Sequence, residues 1–113
     1  MTIMNLINEF RQINSKKPIE NWNRTLDDHC LSHTLAMINS AEVYHAPRDY
    51  LKNYDEIVWR CDFMNTWDET FRHLIFELIG KSEEHKKILL ESQELGYGVM
   101  SDKNKVYITI RGK

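Results

Sequence analysis

The sequence has too few cysteines for a disulfide framework and no apolar run that could cross a membrane. Only two cysteines occur in 113 residues, whereas small secreted domains held by disulfides carry several. A membrane-spanning helix needs about 20 apolar residues, and polar residues interrupt every apolar stretch before that length. The N-terminal stretch MTIMNLINEFRQ also lacks the basic leader and apolar segment of a secretory signal. We therefore expect a cytoplasmic protein, as the sequence is written, without a membrane span.

An excess of charge of one sign is also missing. The net charge is −2 and the pI is about 6.2, and the basic residues are spread along the chain, so we expect no nucleic-acid partner. Four glycines and two prolines leave no linker or low-complexity segment. With 42% hydrophobic and 28% charged residues, the composition is globular. The sequence predicts one domain over residues 1–113.

Helical spacing of apolar residues predicts four helices. The first runs from Ile3 to Ile13. The second begins at Thr25, a plausible N-cap, and ends near residues 39–40. The third begins at Thr66 and ends at residue 80, and Ser82 caps a fourth, short helix.

The remaining segments predict strands and one irregular loop. Residues 41–55 have no period and are expected to be irregular. Residues 56–60 are rich in β-formers, and residues 97–99 and 106–110 alternate around a polar turn, which predicts a hairpin. The expected fold class is α+β, a three-layer α-β-α sandwich with four helices around a small, mainly antiparallel sheet.

Several short motifs follow one another along about nine tenths of the chain. They are PIENWNRTL at 18–26, His33 and Met37 in the next helix, His45 after it, DEIV at 55–58, SEEHKKIL at 82–89, LGYGV at 95–99 and VY at 106–107. In this order they resemble short bacterial members of the CAP superfamily, which includes the cysteine-rich secretory, antigen 5 and pathogenesis-related proteins. The resemblance implies a cleft built from His45, Glu56 and His85.

The chain departs from the family pattern at four positions. Asp55 replaces the glycine before the site glutamate, and Ile57 replaces the asparagine after it. Ile79 stands where a tryptophan is usual. Ser82 occupies the position of a second glutamate in many eukaryotic members, so the resemblance implies a His–Glu–His cleft rather than a full tetrad. The family is typically secreted, but without a signal in this sequence we do not carry secretion over.

The chemistry of the three cleft residues suits a metal ion. Imidazole nitrogens and a carboxylate are ligands for Zn²⁺ or another divalent first-row ion. We therefore expect His45, Glu56 and His85 as metal ligands and as catalytic candidates. Around them we expect Ser82, Tyr44, Trp59 and Glu84.

Three functions remain open at this stage. We favour a CAP-like binding module that binds a divalent metal and recognises a protein or small ligand through the cleft and its rim, residues 41–55 and 61–66. A metal-dependent hydrolase using the same cleft is one alternative. A small intracellular inhibitor or effector acting by protein–protein interaction, of phage or pathogen origin, is the other.

Simpler structural roles compete with each candidate. Glu56 can pair locally, Ser82 can be only an N-cap, and His85 can be a half-buried helix residue. The remaining candidates have roles outside the cleft. His29 and His33, four residues apart, can bind a metal but are better explained as a solvent-facing and a buried hydrogen-bonded residue. Cys30 and Cys61 can form a bridge or act as nucleophiles, but Cys30 is better explained as a small buried hydrophobe.

Overall fold

A computed structural model describes residues 2–113. Those residues form five α-helices and four strands. In chain order they are α1 (Ile3–Ile13), β1 (Asn21–Trp22), α2 (Arg24–Ser40), α3 (Arg48–Leu51), β2 (Asp55–Asp62), α4 (Trp67–Arg72), α5 (Glu83–Glu91), β3 (Glu94–Asp102) and β4 (Lys105–Gly112). Helix α4 continues as a π-helical turn, His73–Leu78, and a 3₁₀ turn, Ile79–Lys81.

The four strands form one sheet in the order β1-β3-β4-β2. Strand β4 pairs antiparallel with β3 and β2 over its full length, and β1 adds a two-residue parallel pairing to β3. Helix α2 covers one face, and α1, α5 and the segment that follows α4 cover the other. The expected three-layer α-β-α sandwich is confirmed.

Because β4 is central and both faces are covered, residues 106–112 are all buried. Successive side chains of a strand point to opposite faces. Ile108 and Ile110 pack into the core beneath α1 and α5. Thr109 and Arg111 face α2 instead.

Helix α2 lies unusually close to the sheet at Gly98. A Cβ atom at this glycine would lie 2.3 Å from the backbone nitrogen of Leu31, so only glycine fits beneath the helix. Next to this contact, the Thr34 hydroxyl lies 2.8 Å from the Gly98 carbonyl oxygen and 2.9 Å from the Thr109 hydroxyl. The α2 face of the sheet is therefore packed through polar contacts as well as apolar ones.

Three local expectations were wrong in detail. The N-cap of α2 is Asn23, whose side chain accepts a hydrogen bond from the backbone N–H of Leu26, and Thr25 lies inside the first turn. The segment expected to be irregular contains the short helix α3. Ser82 does occupy the N-cap position of α5, but its side chain makes no capping hydrogen bond.

The C-terminal end of α5 is capped by an arginine from another helix. The buried Arg11 guanidinium donates to the carbonyl oxygens of Leu89, Leu90 and Ser92 at 2.6, 3.0 and 3.2 Å. These carbonyls have no partner within their own helix, and a cation there also complements the helix dipole. Arg11 thereby fixes α1 against α5.

No helix within residues 2–113 has both the length and the apolar content of a membrane span.

Candidate functional site

A cavity of about 410 Å³ opens at the edge of the sheet where β2 begins. It is bordered by the loop after α2, by α3, by the start of β2 and by α5. The lining residues are His45, Ala46, Arg48, Leu51, Asp55, Glu56 and Ile88. Two of the three expected cleft residues therefore line one cavity.

Glu56 is buried at the bottom of this cavity, and both of its carboxylate oxygens accept hydrogen bonds. Its side chain is 1% exposed. Oε1 accepts from the Ala46 backbone N–H at 2.9 Å and lies 2.9 Å from Nδ1 of His45. Oε2 accepts from Nε of Arg111 at 3.0 Å, and Nη2 of Arg111 lies 2.9 Å from the same oxygen as an ion-pair contact. Both oxygens are therefore engaged, and a further ligand on Glu56 would compete with these contacts.

His45 is the exposed member of the site, with 59% of its side chain accessible. An ionised carboxylate only accepts hydrogen bonds, so Nδ1 of His45 carries the proton in its bond to Glu56. In the neutral ring, Nε2 then holds the free lone pair. His45 can accordingly offer Nε2 to a ligand or a metal ion in the cleft.

His85 is held against the other side of the edge strand. Its ring packs edge-to-face on Trp59, with centroids 5.3 Å apart, and its Nδ1 is buried without a hydrogen-bond partner. Burial lowers the pKa of His85, the charge of Glu84 opposes that shift, and the nearby charge of His45 lowers the pKa further. The net shift favours the neutral form of His85.

The two histidines approach the edge strand β2 from opposite faces of the sheet. Glu56 and Trp59 are three residues apart on β2, so their side chains point to opposite faces of the sheet. His45 reaches the edge with Glu56, from the α2 side, and His85 reaches it with Trp59, from the α5 side. Among residues 2–113, no group of three or more His, Cys, Asp or Glu side chains is placed to hold a metal ion.

The four surrounding candidates lie in different places. Trp59 contacts His85 directly, and exposed Glu84 acts on it through charge. Ser82 is half-buried at the start of α5. The ring of Tyr44 packs on His33, with centroids 5.1 Å apart.

The structure also places the histidines and cysteines outside the cleft. His29 is exposed. His33 is half-buried, and its Nε2 lies 2.7 Å from the Tyr44 carbonyl oxygen. Cys30 and Cys61 are both free thiols, so no bridge joins them. Cys30 is fully buried, as expected, and burial raises the pKa of its thiol to about 12, which excludes an activated thiolate.

Sequence reasoning missed Arg111, which forms a buried ion pair with Glu56. In the stretch VYITIR, Arg111 follows the alternating pattern of the strand, and no role was predicted for it. The signal was available, because a central strand covered by helices on both faces has no outward side. A charged residue there must find a buried partner. Arg48, Leu51 and Ile88 of the cavity lining carry no comparable sequence signal.

Comparison by sequence finds no relative: no known protein-family model matches the chain, and no curated protein is similar to it. Comparison by structure finds clear similarities. An extracellular SCP-domain protein from Bacillus anthracis matches with a TM-score of 0.70 and 19% identity, over 98% of this chain and 39% of that one. A cysteine-rich secretory protein from Staphylococcus aureus matches with a TM-score of 0.60 and 21% identity, over 98% and 37%.

A third similar structure is NaASP2 with Zn²⁺, with a TM-score of 0.68 and 11% identity, over 97% of this chain and 76% of that one. These similarities show that the chain has the CAP, or SCP-domain, fold. The fold implied by the motif resemblance is confirmed. The chain spans less than half of either bacterial protein.

Proposed function

We propose that this chain is a CAP-fold binding module whose cleft binds a divalent metal ion, with zinc the best candidate, through the imidazoles of His45 and His85. The observation that carries the proposal is the hydrogen bond between His45 Nδ1 and the buried Glu56 carboxylate. A histidine that donates its second N–H to a carboxylate is the usual arrangement around metal ligands, because the carboxylate orients the ring and raises its basicity.

Glu56 acts in this proposal as an orienting group rather than as a ligand. Its oxygens already accept three hydrogen bonds, from His45, Ala46 and Arg111, and Nη2 of Arg111 makes a further ion-pair contact. Coordination by Glu56 would have to break some of them in a buried place, which costs the desolvation of the groups left unpaired. The metal set is therefore two histidines, not the three residues expected from the sequence.

His85 supports the proposal through its protonation state. Metal binding requires a neutral imidazole, and burial lowers the pKa of His85. A structure of the same fold with Zn²⁺ supports zinc as the ion to test first.

Two protein ligands leave the remaining positions of a tetrahedral ion to water or to a bound ligand. A protein or small molecule with a donor atom would complete the coordination from the open side of the cavity. The hydrolase alternative is less well supported, because both oxygens of Glu56 are already hydrogen-bonded and its carboxylate is paired with Arg111, which opposes a role as general base.

Isothermal titration with Zn²⁺ tests the proposal. We expect one site in the unaltered chain, a loss of at least about tenfold for His45→Ala or His85→Ala, and no measurable site in the double variant. His29→Ala is the matched control, since His29 is exposed and outside the cleft, and its affinity should equal that of the unaltered chain. Equal, weak binding by the unaltered chain and the double variant would overturn the proposal.

A further inference from the structure

Arg111 holds one oxygen of Glu56 while His45 and Ala46 share the other. Nε of Arg111 donates a hydrogen bond to Oε2, and Nη2 lies 2.9 Å from the same oxygen. The bonds of His45 and Ala46 end on Oε1. Arg111 itself is 6% exposed, so water does not compete for its guanidinium.

We propose that Arg111 is a positioning residue for the cleft: by fixing Oε2 it aims Oε1 of Glu56 at His45 and so keeps the His45 proton on Nδ1. The Nε2 lone pair is then presented to the cleft. The consequence for metal affinity rests on the proposed function, whereas the effect on the His45 ring does not.

The charge of Arg111 is as important as its geometry. A buried carboxylate without a paired cation is strongly disfavoured. Without Arg111, Oε2 loses the group that fixes it, and the carboxylate can turn so that Oε1 no longer faces His45. Lysine would supply the charge but not the planar guanidinium that places both Nε and Nη2 against Oε2. Arg111→Lys is therefore expected to restore the orientation only in part.

Arg11 provides a control of the same residue type and burial. It is 7% exposed, yet it donates to backbone carbonyls of the α5 terminus and its neighbours and contacts no carboxylate. Removing Arg11 should loosen the fold without reaching His45. Comparing the Arg11 and Arg111 variants distinguishes a positioning role from general destabilisation.

The test records long-range ¹H–¹⁵N spectra of the histidines in metal-free protein at about pH 8, where an ordinary imidazole is neutral. We expect the Nδ1–H form for His45 in the unaltered chain and in Arg11→Met. In Arg111→Met we expect a shift toward the Nε2–H form that unconstrained histidine prefers, and in Arg111→Lys an intermediate position. His29 serves as the internal reference, and circular dichroism confirms that each variant is folded.

A second measurement, zinc titration, links the ring to the site. Arg111→Lys should weaken zinc binding by about 10- to 100-fold, as loss of an outer-shell partner typically does. The proposal is overturned if the His45 tautomer is unchanged in folded Arg111→Met. If Arg111→Met does not fold, an unchanged tautomer in Arg111→Lys overturns it. If the ring responds but the unaltered chain binds no zinc, the positioning role stands and the proposed function fails.

Discussion

The two faces of the sheet are filled with different chemistry. Toward α1 and α5, strand β4 presents Ile108 and Ile110, which are fully buried in the larger apolar cluster. Toward α2, the same strand presents Thr109 and Arg111, each buried and each hydrogen-bonded to a side chain. Neighbouring residues of one strand thus contribute to two kinds of packing.

An apolar face needs only volume of about the right shape, and it tolerates exchange among similar side chains. A polar face needs a hydrogen-bond partner for every buried donor and acceptor. The cleft arises where the polar face reaches the edge strand β2, because there the last partner in the series, His45, is open to solvent. The same polar packing that joins α2 to the sheet thereby supplies the site.

The largest effect is expected where a buried charge loses its partner. Arg111→Met should lower the free energy of unfolding by about 3–5 kcal/mol, because Glu56 is left buried without a cation. Adding Glu56→Gln removes the stranded charge and keeps an acceptor for Ala46 and His45. Urea denaturation should show that the double variant regains more than half of the loss. A double variant as unstable as Arg111→Met would show that the ion pair does not govern this face.

A smaller loss is expected from a neutral partner on the same face. Thr34→Val keeps the side-chain shape but removes the hydroxyl between Gly98 and Thr109. We expect a loss of about 1–2 kcal/mol in the free energy of unfolding, because buried acceptors are left unpaired.

The control for Thr34→Val is Thr25→Val, in the same helix at an exposed position. It should change the free energy of unfolding by at most about 0.5 kcal/mol, as surface substitutions usually do. Equal losses from the two variants would mean that helix propensity, rather than the polar contact, determines the result.

The elements predictable from the sequence are those with a period. Helices α1 and α2, the hairpin and the strand at residues 56–60 follow from apolar spacing, and the structure has all of them. Strand β1 and helix α3, of two and four residues, are shorter than any period and give no such signal. The burial of Thr34 gives no local signal either, because its partners Gly98 and Thr109 come from strands distant in sequence.

The candidate site was predictable in part for the same reason. His45, Glu56 and His85 could be selected because they stand in recognisable motifs. The role of Glu56 could not, because it depends on Arg111, 55 positions away in the sequence. Glu56 and Trp59 point to opposite faces of β2. Glu56 therefore contacts His45, and Trp59 contacts His85.

The smallest expected effect is a gain in stability rather than a loss, and it comes from Asp27, in the first turn of α2. Asp27 accepts a hydrogen bond from the Tyr97 backbone N–H at 2.8 Å, and burial raises the pKa of its carboxyl above 3.8. The folded chain therefore binds this proton more tightly than the unfolded chain, and stability is lost as pH rises from 3.8 through the raised value. Asp27→Asn keeps an acceptor and removes the charge, so its stability should exceed that of the unaltered chain slightly at neutral pH and match it below about pH 3.8.

The exposed neighbour variant Asp28→Asn should show no such gain in urea midpoints measured across this range. A gain of equal size for both variants would indicate that the overall charge of the helix, and not the polar contact beneath it, sets the effect.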